Sequence, residues 1–173
     1  RADVIVAGPG LGQSLWAESL VQHLMAHAQN SLKVLDADAL NLLATQGGVL
    51  HNTVITPHPK EAARLLHCTV DDIEANRFDA AQSLARRFQA TALLKGPGTL
   101  IVHEQGVYIN SSGSEVLASA GMGDVLSGII ASLLAQGVSQ RDAACLGAYL
   151  HGFAAEQASA EGGKGLLASD LFP

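Results

Sequence analysis

The chain alternates between two periods of hydrophobic and polar positions. Apolar runs of four or five residues in "ADVIVAG", "LKVLDADAL", "TVITPHPKEAARLL" and "TALLKG" are separated by longer stretches with helical spacing. Strands covered on both faces read as apolar throughout, so this alternation predicts an α/β chain, a mostly parallel sheet flanked by helices on both faces. A helix is expected over 14–27, with Leu15, Leu20, Leu24 and Met25 toward the core. Another, opened by Asp71 or Asp72, carries Ile73, Phe78, Ala81, Leu84 and Ala85. "TLIVH" and "VYIN" around "EQG" read as an antiparallel hairpin, and two closing helices are expected over 123–136 and 139–157.

Composition narrows this picture. With 173 residues and 48% hydrophobic content the chain can bury one core, so a single domain over 1–173 is expected. The net charge of −6, with scattered Lys and Arg, offers no basic face for a phosphate backbone, which argues against a nucleic-acid partner. Cys68 and Cys145 stand far apart with no second pair, which argues against a disulfide framework or a zinc site and fits a cytoplasmic setting. No apolar run reaches membrane-spanning length, and no basic-then-apolar leader precedes the first strand. The chain opens on Arg1 and at once on a strand, the reading of a segment of something longer, while "GGKG" near the end is too short to mark a domain boundary.

In open α/β sheets ligands collect beyond the carboxyl ends of strands, where this chain places "GPGLG", "DAD", "TPHP" and "KGPGT". "GPGLGQ" has Gln13 where a dinucleotide fingerprint needs glycine. What survives is the freedom of Gly8, Gly10 and Gly12 to bring backbone amides close to a ligand, or simply to make a tight turn. Pro57 and Pro59 frame His58 and would hold its imidazole in place. His23 and His27 have metal-like spacing without a third ligand and read as a solvated helix face, and His51, His67, His103 and His151 carry no specific signal. Lys95, followed by Gly96, Pro97, Gly98 and Thr99, suits an anionic or nucleotide ligand, although a turn with a snorkelling lysine has the same sequence.

"SAGMGDVLSG", residues 119–128, says most. Val125, Leu126, Ile129, Ile130, Leu133 and Leu134 form a stripe that fixes the helix by burial, so its start presents free amides and the positive end of its dipole. Gly121 and Gly123 leave room for a phosphoryl group there. Asp124 would repel an anion unless it handles a proton on the group that attacks the phosphorus; the alternative is an acid that only complements the dipole.

Taken together, "GPGLG", "LDADALN", "TPHPKEAARLL", "LLKGPGTLI" and "SAGMGDVLSGIIASLLAQG", in this order, resemble the ribokinase-like NAD(P)H-hydrate dehydratases, and the likeness runs to the terminal "GLLASDL". The resemblance implies a ribokinase-like fold lacking its N-terminal part. It also implies nucleotide-dependent dehydration of hydrated NADH or NADPH, by phosphorylation of the hydrate hydroxyl and elimination of phosphate. On that basis Asp124 is the base; Gly121, Met122 and Gly123 form the anion hole; Lys95, Gly96, Pro97, Gly98, Thr99 and Gly123 contact ADP or ATP; Gly12, His58 and Asp124 contact the hydrate. Mg2+ bridges phosphate oxygens, and Asp36 and Asp38 hold its waters or, ranked higher, cap a helix. A homo-oligomer and an upstream epimerase domain are further implications. The chain departs from the family pattern in lacking a glycine-rich region of about a hundred residues that helps form the substrate pocket. It also reads "GSEVLA" at 113–118 where "GNPGMA" is common, with Val116 in a glycine position and Glu115 adding a charge. Alternatives are a vitamin-precursor kinase of the same superfamily and a non-catalytic nucleotide-binding fragment.

Overall fold

The computed structural model describes residues 2–162 and 165–172; Arg1 and part of the "GGKG" segment lie outside the described residues. Six strands form one sheet in the order of the chain: β1 (Val4–Ala7), β2 (Leu32–Leu35), β3 (Thr53–Ile55), β4 (Thr91–Leu94), β5 (Thr99–His103) and β6 (Gly106–Asn110). β1 to β4 are parallel, and β5 and β6 are added antiparallel as the hairpin expected from "EQG". Because each parallel strand lies beside its predecessor, right-handed crossovers put all the intervening helices on one face. These are α1 (Leu15–His27), α2 (Ala37–Gln46), α3 (Pro59–Leu66), α4 (Val70–Ala75) and α5 (Arg77–Phe88). The other face is covered from the end of the chain, by α6 (Met122–Ala135) and α7 (Gln140–Gly162).

Each face has its own core. Leu35, Leu40, Leu43, Ile55, Leu65, Leu84, Phe88 and Leu94 pack on the first. Val34, Val54, Leu93 and Ile101 meet Leu126, Ile130 and Leu134 of α6 and Ala144 and Ala148 of α7 on the second. Alternate residues of β2, β3 and β4 therefore serve opposite cores, which is why these strands read as unbroken apolar runs.

Two helical expectations need correction. Leu15 does not face the core: it is 83% exposed, and the buried positions of α1 are Ala17 and Val21, with Leu24 and Met25 packed beside them. Leu15 is the first residue after the Ser14 cap and points away from the stripe, which runs through Ala17 and Val21. The stretch expected as one helix opened by Asp71 or Asp72 is two. Thr69 caps α4 in a reciprocal box with Asp72, and Asn76, at φ −147°, ends α4 and caps α5 through the Asp79 amide. Phe78 falls after that break and is 48% exposed.

The first glycine turn is a matter of close approach. Gly8 has φ +127°, and a Cβ there would lie 1.7 Å from the Asp36 carbonyl oxygen, so no side chain fits between β1 and the end of β2. This contact brings the turn after β1 against the loop after β2, the first step in assembling the strand-end loops.

Candidate active site

The carboxyl ends of β2 and β4 flank that of β3, so Asp36 and Lys95, each the first residue past its strand, face each other across Thr56 and Pro57. The main chain continues the sheet's pairing there: Asp36 donates to Ala7, Thr56 to Leu35, and Lys95 to Pro57 at 2.9 Å. Asp36 is 1% exposed and accepts three hydrogen bonds. Lys95 Nζ (2.8 Å) and the Ala37 amide (2.9 Å) reach Oδ1, and Ser127 Oγ of α6 reaches Oδ2 at 2.9 Å. Asp36 thus caps α2, as the sequence favoured, and also neutralises the lysine. Sequence reading missed Ser127; its only signal was a hydroxyl on the buried stripe of an otherwise apolar helix.

Gly123 stands at this pair. A Cβ on it would lie 3.2 Å from Lys95 Nζ and 3.4 Å from Asp36 Oδ2, so its bare backbone keeps the ammonium open to the start of α6. That helix begins on Gly121, at φ +82°, with no side-chain cap. Val125 donates to the Gly121 carbonyl and Met122 to Ser119 at a long 3.4 Å, whereas among the described residues the Gly123 and Asp124 amides have no partner. Two free amides, a helix dipole and a lysine converge, the arrangement that binds a phosphoryl group. Met122 is buried against Ala155 and Leu166, with Val116 and Leu117 beside them, so the "GSEVLA" segment packs as a short 3-10 turn that helps seat the helix start.

His58 caps α3. Its Nδ1 accepts from the Lys60 and Glu61 amides at 3.1 and 3.3 Å, its own amide donates to Glu61 Oε2 at 2.8 Å, and Nε2 lies 3.3 Å from Glu61 Oε1. The prolines hold it as expected, with Pro59 opening the helix. Burial lowers its pKa from the usual histidine value; Glu61 pulls it back up, while Lys95 and Arg64 push it further down. An unfolded histidine takes up its proton near pH 6.5, above the folded value, so this group's contribution is complete above that pH and is lost as the pH falls through the lower folded pKa. The urea midpoint should therefore drop between about pH 7.5 and about pH 5, and His58→Asn, a cap that does not titrate, should flatten part of that slope. An identical slope in the variant would remove His58 as a source.

The remaining expected positions are less closely gathered. The Gly12 amide donates to Asp38 Oδ2 at 2.8 Å, which holds the glycine turn to α2. Gly96 abuts the Arg77 guanidinium, whose Nη2 donates to the Lys95 carbonyl at 3.3 Å, and Thr99 Oγ1 donates to Gly96 at 3.1 Å. Gly96, Pro97 and Gly98 form an exposed edge. Asp124 is exposed, with no hydrogen bond or ion pair among the described residues, so the helix start meets Lys95 while the carboxylate stays in solvent. Of the acids at this edge, Asp36 is held by three donors and Asp38 by the Gly12 amide, while the Asp124 carboxylate has no partner among the described residues. Among the described residues no group of three His, Cys, Asp or Glu side chains could hold a metal, and the His23 and His27 rings lie 4.4 Å apart with their planes tilted by 40°. Among the same residues no helix is long and apolar enough to cross a membrane.

The family model for NAD(P)H-hydrate dehydratase matches residues 1–173. The chain is 50% identical to the bifunctional NAD(P)H-hydrate repair enzyme Nnr of Escherichia coli, over 99% of its own length and 33% of that protein's. It is 44% identical to the ADP-dependent (S)-NAD(P)H-hydrate dehydratase of Neisseria meningitidis serogroup B, over 97% of this chain and 60% of that protein. It therefore spans about a third of the bifunctional relatives. The structure of the ADP/ATP-dependent NAD(P)H-hydrate dehydratase of Bacillus subtilis, co-crystallised with ATP/Mg2+, superposes with a TM-score of 0.85 at 30% identity, covering 98% of this chain and 61% of that one. The sheet order, the glycine-capped helix and the full-length family match lead to one conclusion: this chain has a ribokinase-like fold and belongs to the NAD(P)H-hydrate dehydratase family.

Proposed function

We propose that the chain carries the nucleotide-dependent dehydration of hydrated NADH or NADPH. The observation that supports this most is the meeting of the uncapped α6 start with the Lys95–Asp36 pair at Gly123. In this reading the hydrate hydroxyl attacks the terminal phosphorus of ADP or ATP, and Asp124 takes the hydroxyl proton. The Gly123 and Asp124 amides, with the Gly121–Met122 turn behind them, hold the transferred oxygens. Phosphate then leaves with the former hydroxyl oxygen, and loss of a proton from the adjacent carbon restores the double bond. The products are the reduced dinucleotide, phosphate, and AMP from ADP or ADP from ATP. Mg2+ would supply charge neutralisation on the phosphate oxygens. Lys95 and the 96–99 turn contact the nucleotide, and Gly12 and His58 contact the hydrate. The cytoplasm, a homo-oligomer and an epimerase segment in the same polypeptide complete the reading.

Incubation with hydrated NADH, ADP and Mg2+ should restore the absorbance of the reduced nicotinamide and release one phosphate per dinucleotide restored. A phosphorylated product that accumulates would instead indicate a small-molecule kinase, and ADP binding without turnover a binding fragment. Lys95→Ala should weaken ADP binding about 10-fold by calorimetry, through loss of one charge-assisted contact. Unchanged affinity would take the lysine out of the nucleotide site.

A further inference from the structure

His151 is 6% exposed, and its Nε2 is enclosed with no hydrogen-bond partner. A buried donor or acceptor without a partner costs stability and calls for an explanation. Its place in α7 supplies one. Ala148, three residues earlier, packs in the core with Leu126 and Ile130, and Ala155, four residues later, packs with Met122. All three α7 positions share one helix face, so His151 lies between them, opposite the first turn of α6. The two helices are already in close contact one turn before His151, where a Cβ on Gly147 would lie 2.7 Å from Ile130 Cγ1.

We propose, on the basis of the phosphoryl-transfer reading above, that His151 is a positioning residue: its ring donates from Nε2 to the Met122 carbonyl once an anion settles on the Gly123 amide. The Met122 carbonyl and the Gly123 N–H belong to one planar peptide unit. A donor on the carbonyl fixes the orientation of that plane and polarises it, which strengthens the N–H on its far side. The partnerless Nε2 is then a contact held in reserve, made when the helix start tightens around its ligand. The ring's titration agrees: burial lowers its pKa, the Met122 main chain raises it and Lys95 lowers it. The net lowering keeps the ring neutral at neutral pH, with a single N–H to place.

Amide spectra of the nitrogen-labelled chain titrated with inorganic phosphate test this without relying on turnover. In the parent protein phosphate should move the Gly123 and Asp124 amide protons downfield. In His151→Leu the Gly123 shift should fall by about a quarter while that of Asp124, whose peptide contains the Gly123 carbonyl, stays put. His151→Gln, which can place an N–H near the same point, should recover most of the Gly123 response, and His151→Asn, which is shorter, should not; this polar pair decides the matter if the leucine variant does not fold. With hydrated NADH and ADP, kcat should fall about 10-fold in His151→Asn at unchanged KM. Equal loss at Gly123 and Asp124, identical behaviour of the Gln and Asn variants, or no phosphate response at Gly123 in the parent would overturn the proposal. Absence of turnover in the parent with the amide pattern intact would instead defeat only the functional reading.

Discussion

Asp124→Asn should lower turnover of hydrated NADH by about 1,000-fold while changing ADP affinity less than about 3-fold. The split follows from where the residue stands. Asp124 has no hydrogen bond or ion pair among the described residues and is exposed, so its amide replacement disturbs no packing. The Gly123 and Asp124 main-chain amides, which would meet the phosphoryl group, are retained. What is lost is an acid with no partner among the described residues, whereas the Asp36 carboxylate is held by Lys95, Ser127 and the Ala37 amide and the Asp38 carboxylate by the Gly12 amide. Stopped assays on purified variant, with calorimetry for ADP, separate the two effects. Turnover within a few-fold of the parent would mean that Asp124 only complements the helix dipole.

The second large effect is on stability. Asp36→Ala leaves the Lys95 ammonium, whose side chain is 22% exposed, without its counter-charge, strands the fully buried Ser127 hydroxyl, and uncaps α2. Removing one partner from a largely buried ion pair is far more costly than the pair itself is stabilising, so a loss of about 3 kcal/mol in urea unfolding is expected. Asp36→Asn keeps the shape and the cap acceptor and should lose less. A cost below about 1 kcal/mol for the alanine variant would show that Lys95 finds solvent instead. These residues join β2, β4 and α6, so the variant should also loosen the lysine from Gly123 and weaken nucleotide binding.

Much of this was legible in the chain itself. Unbroken apolar runs marked strands covered on both faces, and "EQG" marked the hairpin. The stripe Leu126, Ile130 and Leu134 fixed α6 as a buried helix whose start had to face the strand ends. What escaped was pairing between distant residues. Asp36 and Lys95 are 59 positions apart and looked like a cap and a free cation. The available signal was that both are polar residues directly after buried strands, and parallel strands bring such positions to one edge. Ser127 and His151 were invisible because their significance lies in what packs against them. Leu15 and Phe78 differ because helical spacing does not show which way the first residue of a helix points, or that Asn76 caps a new helix instead of continuing the old one.

The proposed chemistry requires that the hydrate hydroxyl itself is phosphorylated at the start of α6. It is tested most directly by hydrated NADH carrying a heavy-oxygen label in that hydroxyl, turned over with ADP and Mg2+. The label should appear in the released phosphate; label recovered in water, with unlabelled phosphate, would mean that the hydroxyl leaves without being phosphorylated.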